Sequence, residues 1–259
     1  MTISFLERFG RATLEISRML SLPFEMSRIR NLGLRSYLCS PLESKNSGDN
    51  RSAVILLLRL EMFAKNLKEI ESKDKKLLRD FSISISRQGD HSSFFGTRFE
   101  INIAASLVRK NIDFRKSESP DFRLCEAGCA IECTSVRSVS GNRNKNYDYK
   151  ISSAINKKSS QKYAKKKTVL AIDRTNTLFL NPNQTIAGAR SAMQAGLSGS
   201  GFGAILIFNY VYNPRCERFE SNYLREDGES CDKELIARLD SSFPKGLRRV
   251  EDYVVPNEG

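Results

Sequence analysis

A chain of 259 residues with a formal net charge of +12 and a pI near 9.5 is long enough to bury a core without disulfide staples and basic enough to attract polyanions. Its six cysteines are scattered without a recognisable leader sequence, and apolar runs such as 53–58 and 203–208 are too short to cross a bilayer. These features predict a cytoplasmic protein with nucleic acid as its partner and argue against a membrane protein.

In chain order, residues 1–90 predict a mostly helical N-terminal region. Phe5, Leu6, Phe9, Leu14, Ile16 and Met19 recur at roughly helical spacing, and 52–81 is a second, longer helical pattern. Between them "SPLESKNSGDNRS" at 40–52 has the composition of a linker. From residue 91 helix and strand alternate. The pattern predicts a helix at 94–110, strands at 112–116, 121–125 and 129–136, a helix at 150–165, a strand at 168–174, a helix at 184–195, a strand at 203–212 and a last helix near 232–240. That order predicts an α/β domain over 91–259 with a mixed sheet. Within it, "GLSGSGFG" at 196–203 precedes a strand and lacks a following Gly-Lys-Ser/Thr, so it reads as a flexible loop and not a phosphate cradle. Asp173 at a strand end reads as a structural pair or turn residue, and the single histidine, His91, as a helix-entry residue. Cys125, Cys129 and Cys133 lack zinc-ligand spacing and read as small core residues.

The chemistry concentrates in "SPDFRLCEAGCAIECTSV" at 119–136, which sets two carboxylates, Asp121 and Glu132, in an otherwise apolar hairpin. A tight turn at Ala127-Gly128 would pair Arg123 with Glu132 and Asp121 with Thr134, projecting Asp121, Glu132 and Thr134 from one face. A shift of one residue would break that convergence. Convergent carboxylates suit Mg²⁺ or Mn²⁺. At about 100° per residue, Glu100 lies within about 60° of Gly96, Ile103, Ala104 and Leu107, with Arg98, Asn102 and Arg109 opposite. A carboxylate on that inward face requires a cation, a hydrogen-bond network or a raised pKa. Lys158 lies on the Ile151, Ala154, Ile155 and Gln161 side of the next helix, while Lys157 points away. Much of the excess positive charge sits in 137–167, where Asp148 is the lone acid. Arg143, Lys145, Lys150, Lys157, Lys162 and Lys165 are its candidate nucleic-acid contacts.

Glu100, the Pro120-Asp121 pair and Glu132 resemble, in order and spacing, the PD-(D/E)XK nucleases with their restriction-endonuclease-like fold, over roughly 94–174. The family's lysine two residues after the second acid is replaced here by Thr134, and Lys158 resembles the variant arrangement in which the following helix supplies it. The resemblance implies a metal-dependent nuclease acting on DNA in restriction, defence or repair. Asp121, Glu132 and the Cys133 carbonyl would hold Mg²⁺ or Mn²⁺, Glu100 would bind metal directly or through water, Lys158 would orient the attacking water or neutralise charge developing on the phosphorane, and Gln161 would position it. The alternative is a non-catalytic nucleic-acid-binding protein on a degenerate nuclease scaffold, for which Thr134 is the argument. A homodimer or a targeting partner protein is compatible with either.

Overall fold

The computed structural model describes residues 3–23, 25–87, 91–125, 128–137, 147–180 and 186–245. They form two compact units, the first ending at Asn111 and including Arg215–Phe219, the second running over Ile112–Pro214 and from Glu220 onward. The boundary expected near residue 90 thus precedes a helix that groups with the N-terminal region.

The first unit is helical, as the amphipathic spacing predicts: α1 (Phe5–Met19), α2 (Leu32–Asn46), α3 (Asn50–Lys73), α4 (Lys75–Arg87) and α5 (His91–Arg109). Ser4 and Glu7 close a capping box at the start of α1. The expected linker at 40–52 is mostly helix, with Pro41 inside α2. Proline lacks the N–H that would bond the Tyr37 carbonyl four residues back, and the Ser40 hydroxyl donates to that carbonyl instead, at 3.0 Å. The long pattern at 52–81 is two helices, because Asp74 takes an extended conformation and its carboxylate caps the next helix, accepting from the Lys76 and Leu77 N–H groups. Arg8 and Arg18 of α1 each form a two-pronged ion pair with α3, to Glu61 and Glu71.

The second unit is α/β. Its strands β1 (Phe114–Lys116), β2 (Phe122–Leu124), β3 (Ala130–Ser135), β4 (Thr168–Asp173), β5 (Ala204–Asn213) and β6 (Arg218–Asp227) form one six-stranded sheet in sequential order. It is mixed: β1, β2 and β3 pair antiparallel, while β3, β4 and β5 pair parallel. The helices are α6 (Tyr147–Ser159), α7 (Thr175–Leu180), α8 (Ile186–Ser200) and α9 (Lys233–Ser242). Ile151 and Ile155 of α6 and Ala189, Ala192 and Met193 of α8 pack on Leu170, Ile172, Ile205 and Ile207, covering one sheet face. β4 is buried along its whole length, as a central parallel strand must be.

Three expectations change here. α6 ends at Ser159 and not at 165, α7 and β6 are additional elements, and residues 196–200 of the expected glycine loop belong to α8. The remaining glycines in that run have packing roles. Gly201 has φ +73°, and a Cβ there would lie 2.8 Å from the Ala164 carbonyl oxygen; at Gly203 it would lie 2.1 Å from that of Lys166. Only glycine lets β5 begin this close beneath the 161–167 turn. Asp173 ends β4 and accepts from the Thr175 N–H and hydroxyl at 3.0 and 2.6 Å, the turn role expected of it.

Candidate active site

The hairpin register places the two acids. Phe122 pairs with Ile131 and Arg123 with Ala130, so continuing the pairing sets Asp121 opposite Glu132. This is a two-residue displacement from the expected Arg123–Glu132 pairing. The connection is longer than a tight turn, since Leu124 N–H already bonds the Cys129 carbonyl at 2.8 Å; Ala127 itself lies outside the described residues. A two-residue shift preserves the face on which each side chain projects. Asp121 and Glu132 therefore still share one side, now as direct neighbours.

That side is the α6 face, because Glu132 is in register with Leu170 and Thr134 with Ile172. Glu132 is only 4 % exposed. Lys158, at the margin of the α6 stripe, forms an ion pair with Glu132 Oε1, and the Tyr163 hydroxyl donates to the same oxygen at 2.8 Å. The other oxygen, Oε2, is buried and has no hydrogen-bond partner among the described residues. Asp121 is half-buried. Its Oδ2 accepts the Cys133 N–H at 2.7 Å, a donor left free of the ladder because β2 starts only at Phe122, after Pro120. The short loop before it is tied by Ser117, whose N–H donates to the Asp121 carbonyl at 2.9 Å and whose hydroxyl donates to the Pro120 carbonyl.

Tyr163 was not among the expected residues. A helix continuing to 165 would carry it away from the sheet, but the chain turns after Ser159 through Gln161 N–H to Lys158 carbonyl and Ala164 N–H to Gln161 carbonyl bonds. The Tyr163 ring then lies 6.4 Å from that of Phe202, centre to centre. Burial, reinforced by the hydrogen bond to Glu132 and by the Glu132 and Asp121 charges, pushes its phenol well above the ordinary tyrosine pKa. Its only sequence signal is an aromatic inside "QKYAKKK".

The other expected residues are each described on their own element. Gln161 is exposed in the turn and not one turn further along α6. Glu100 is half-buried on α5 in the first unit, with partners of its own there or elsewhere. The face opposite it, expected to be outward, is packed: Arg98 and Asn102 are buried, Asn66 of α3 donates to Asn102 at 2.8 Å, and Arg109 bonds Asn66 and Glu69. Cys129 and Cys133 are buried, as core residues should be, whereas Cys125 is exposed. Lys157, Lys162 and Lys165 are exposed, Lys150 donates to the Arg137 carbonyl at 3.1 Å, and Arg143 and Lys145 lie outside the described residues.

The donor chemistry fits a hard divalent ion. Mg²⁺ takes one or two carboxylates and completes its shell with water and phosphate oxygens, and the unpartnered Glu132 Oε2 beside Asp121 meets that requirement. Among the described residues no group of three or more His, Cys, Asp or Glu side chains is placed to share an ion. No family model, curated protein or solved structure matches the chain.

Proposed function

We propose that the protein is a divalent-metal-dependent nuclease with a restriction-endonuclease-like core, hydrolysing phosphodiester bonds in DNA. The observation that carries this reading is the buried Glu132, gripped on one oxygen by Lys158 and without a hydrogen-bond partner among the described residues on the other, beside Asp121. A carboxylate removed from water favours a cation at its unpartnered oxygen. Asp121, Glu132 and the Cys133 carbonyl would hold the ion. Bound there, Mg²⁺ or Mn²⁺ polarises the scissile phosphate and lowers the pKa of an attacking water. Lys158 stands in for the strand lysine that Thr134 replaces, presenting a cation that offsets charge developing on the phosphate oxygens. Tyr163 holds Glu132 in orientation, and the exposed lysines of 157–165 attract the substrate.

A second reading, a nucleic-acid-binding protein on an inactive scaffold, is favoured by the occupation of Glu132 Oε1 by both Lys158 and Tyr163. Plasmid cleavage decides between them. Wild type with Mg²⁺ or Mn²⁺ is expected to cut, and EDTA and Asp121→Ala each to abolish cutting while DNA binding persists. Binding without cleavage in either metal, on DNA and RNA alike, would establish the second reading.

A further inference from the structure

We propose that Arg115 and Arg123 form a subsite for the phosphodiester backbone of the DNA strand that enters the Asp121–Glu132 site. The two arginines are direct cross-strand partners in β1 and β2, and both are exposed. Like charges set opposite one another on a sheet repel, and among the described residues neither guanidinium has an acidic partner. Arg123 Nη2 reaches only the Ser119 carbonyl, at 3.3 Å. Next to them is a concavity of about 350 Å³ bounded by Arg115, Arg123, Leu124, Cys125, Gly128 and Cys129. Gly128, in its lining, takes a positive φ of +60° and has no side chain to fill the space.

The alternation of β2 puts Arg123 on the same face as Asp121, about 7 Å further along the strand. A polyanion lying along this face would place one phosphate at the carboxylates and another at the arginine pair. Guanidinium forks bind phosphate oxygens two at a time, so an anion between them converts the cross-strand repulsion into attraction. This subsite rests on the proposed active site for its orientation, while its binding role stands separately.

The test is binding of a labelled DNA duplex to the full chain in EDTA, comparing wild type, Arg115→Ala/Arg123→Ala, Arg115→Lys/Arg123→Lys and the charge-matched control Lys76→Ala/Arg79→Ala, whose residues are exposed on α4. The arginine-to-alanine pair is expected to lose about tenfold or more in affinity at low salt and to flatten the log-affinity against log-salt slope by about 1.8, two phosphate contacts' worth on a duplex. The lysine pair should recover part of the affinity, and the control should keep the wild-type slope. An unchanged slope in the alanine pair, or an equal loss in the control, overturns the proposal. A parallel titration with inorganic phosphate separates the sources: phosphate binding lost in the alanine pair while duplex binding is untouched would make this a small-anion site and overturn the backbone assignment. Absence of wild-type cleavage would instead overturn the nuclease reading alone, since binding is read without metal.

Discussion

At the scale of single residues the site turns on what holds Glu132. Its Oε1 receives a cation from Lys158 and a neutral donor from Tyr163, and these are not interchangeable. Tyr163→Phe removes one hydrogen bond and keeps the ring against Phe202. The expected cost is about 1 kcal/mol of stability near neutral pH and about tenfold in cleavage rate, since Glu132 keeps its charge partner but loses orientation. The pH dependence follows from the raised phenol pKa. Below about pH 10, the ordinary value, folded and unfolded tyrosine are both protonated and the contribution is complete. Above it the unfolded chain ionises first, so stability is lost as pH rises toward the folded pKa. Denaturant melts of wild type and Tyr163→Phe should therefore converge above pH 10 and run parallel from pH 6 to 9. A rate-profile break in that lower window that disappears in the variant would refute the role given to Tyr163.

At the scale of elements, the ammonium at Glu132 comes from helix α6, and strand β3 offers a second position from which one could be supplied. Thr134 is half-buried on the same face of β3 as Glu132. Lys158→Ala should reduce cleavage by about 10²-fold or more, the scale of losing a group that stabilises developing charge. Adding Thr134→Lys in that background delivers an ammonium from two residues along the strand and is expected to restore about a tenth of the wild-type rate. No recovery in a variant that melts like Lys158→Ala would mean that the helix position itself is required. The same elements explain what could be read before the structure. Strand alternation survives a two-residue register change, so Asp121 and Glu132 were legible as neighbours although their pairing was displaced. The inward stripe of α6 was legible in Ile151, Ala154 and Ile155, and with it Lys158. The end of α6 was not, because the turn that lifts Tyr163 onto Glu132 depends on Gly201 and Gly203 forty residues later, a contact no local pattern encodes. The N-terminal helices erred similarly: Pro41 looks like a breaker until Ser40 satisfies the carbonyl it frees, and Asp74 looks like one more polar helix residue until it caps α4.

For the whole molecule, the proposed DNA binding and the proposed chemistry have different electrostatic origins, and salt should separate them. The +12 net charge acts over distances comparable with the Debye length, about 10 Å at 0.1 M ionic strength. Attraction between exposed lysines or arginines and DNA phosphates is therefore weakened steeply by added salt through counterion release. Glu132 is shielded from solvent, and its pairing with the three-quarters-buried Lys158 side chain is screened much less. Raising salt at fixed metal should thus increase KM for DNA by at least about tenfold between 50 and 200 mM, with kcat at saturating DNA changed little. The expected separation also predicts how the variants sort. Lys158→Ala should lower kcat with KM and its salt dependence nearly intact, because one partly buried charge contributes little to the external field. Substitution of the exposed Lys157, Lys162 and Lys165 should raise KM, flatten its salt dependence and spare kcat. Steady-state cleavage of a short duplex across a salt series measures both. A kcat that falls in parallel with binding would show that the lysines on the surface and the lysine at Glu132 act on the same step, and that the site depends on the surrounding field as much as on its own contacts.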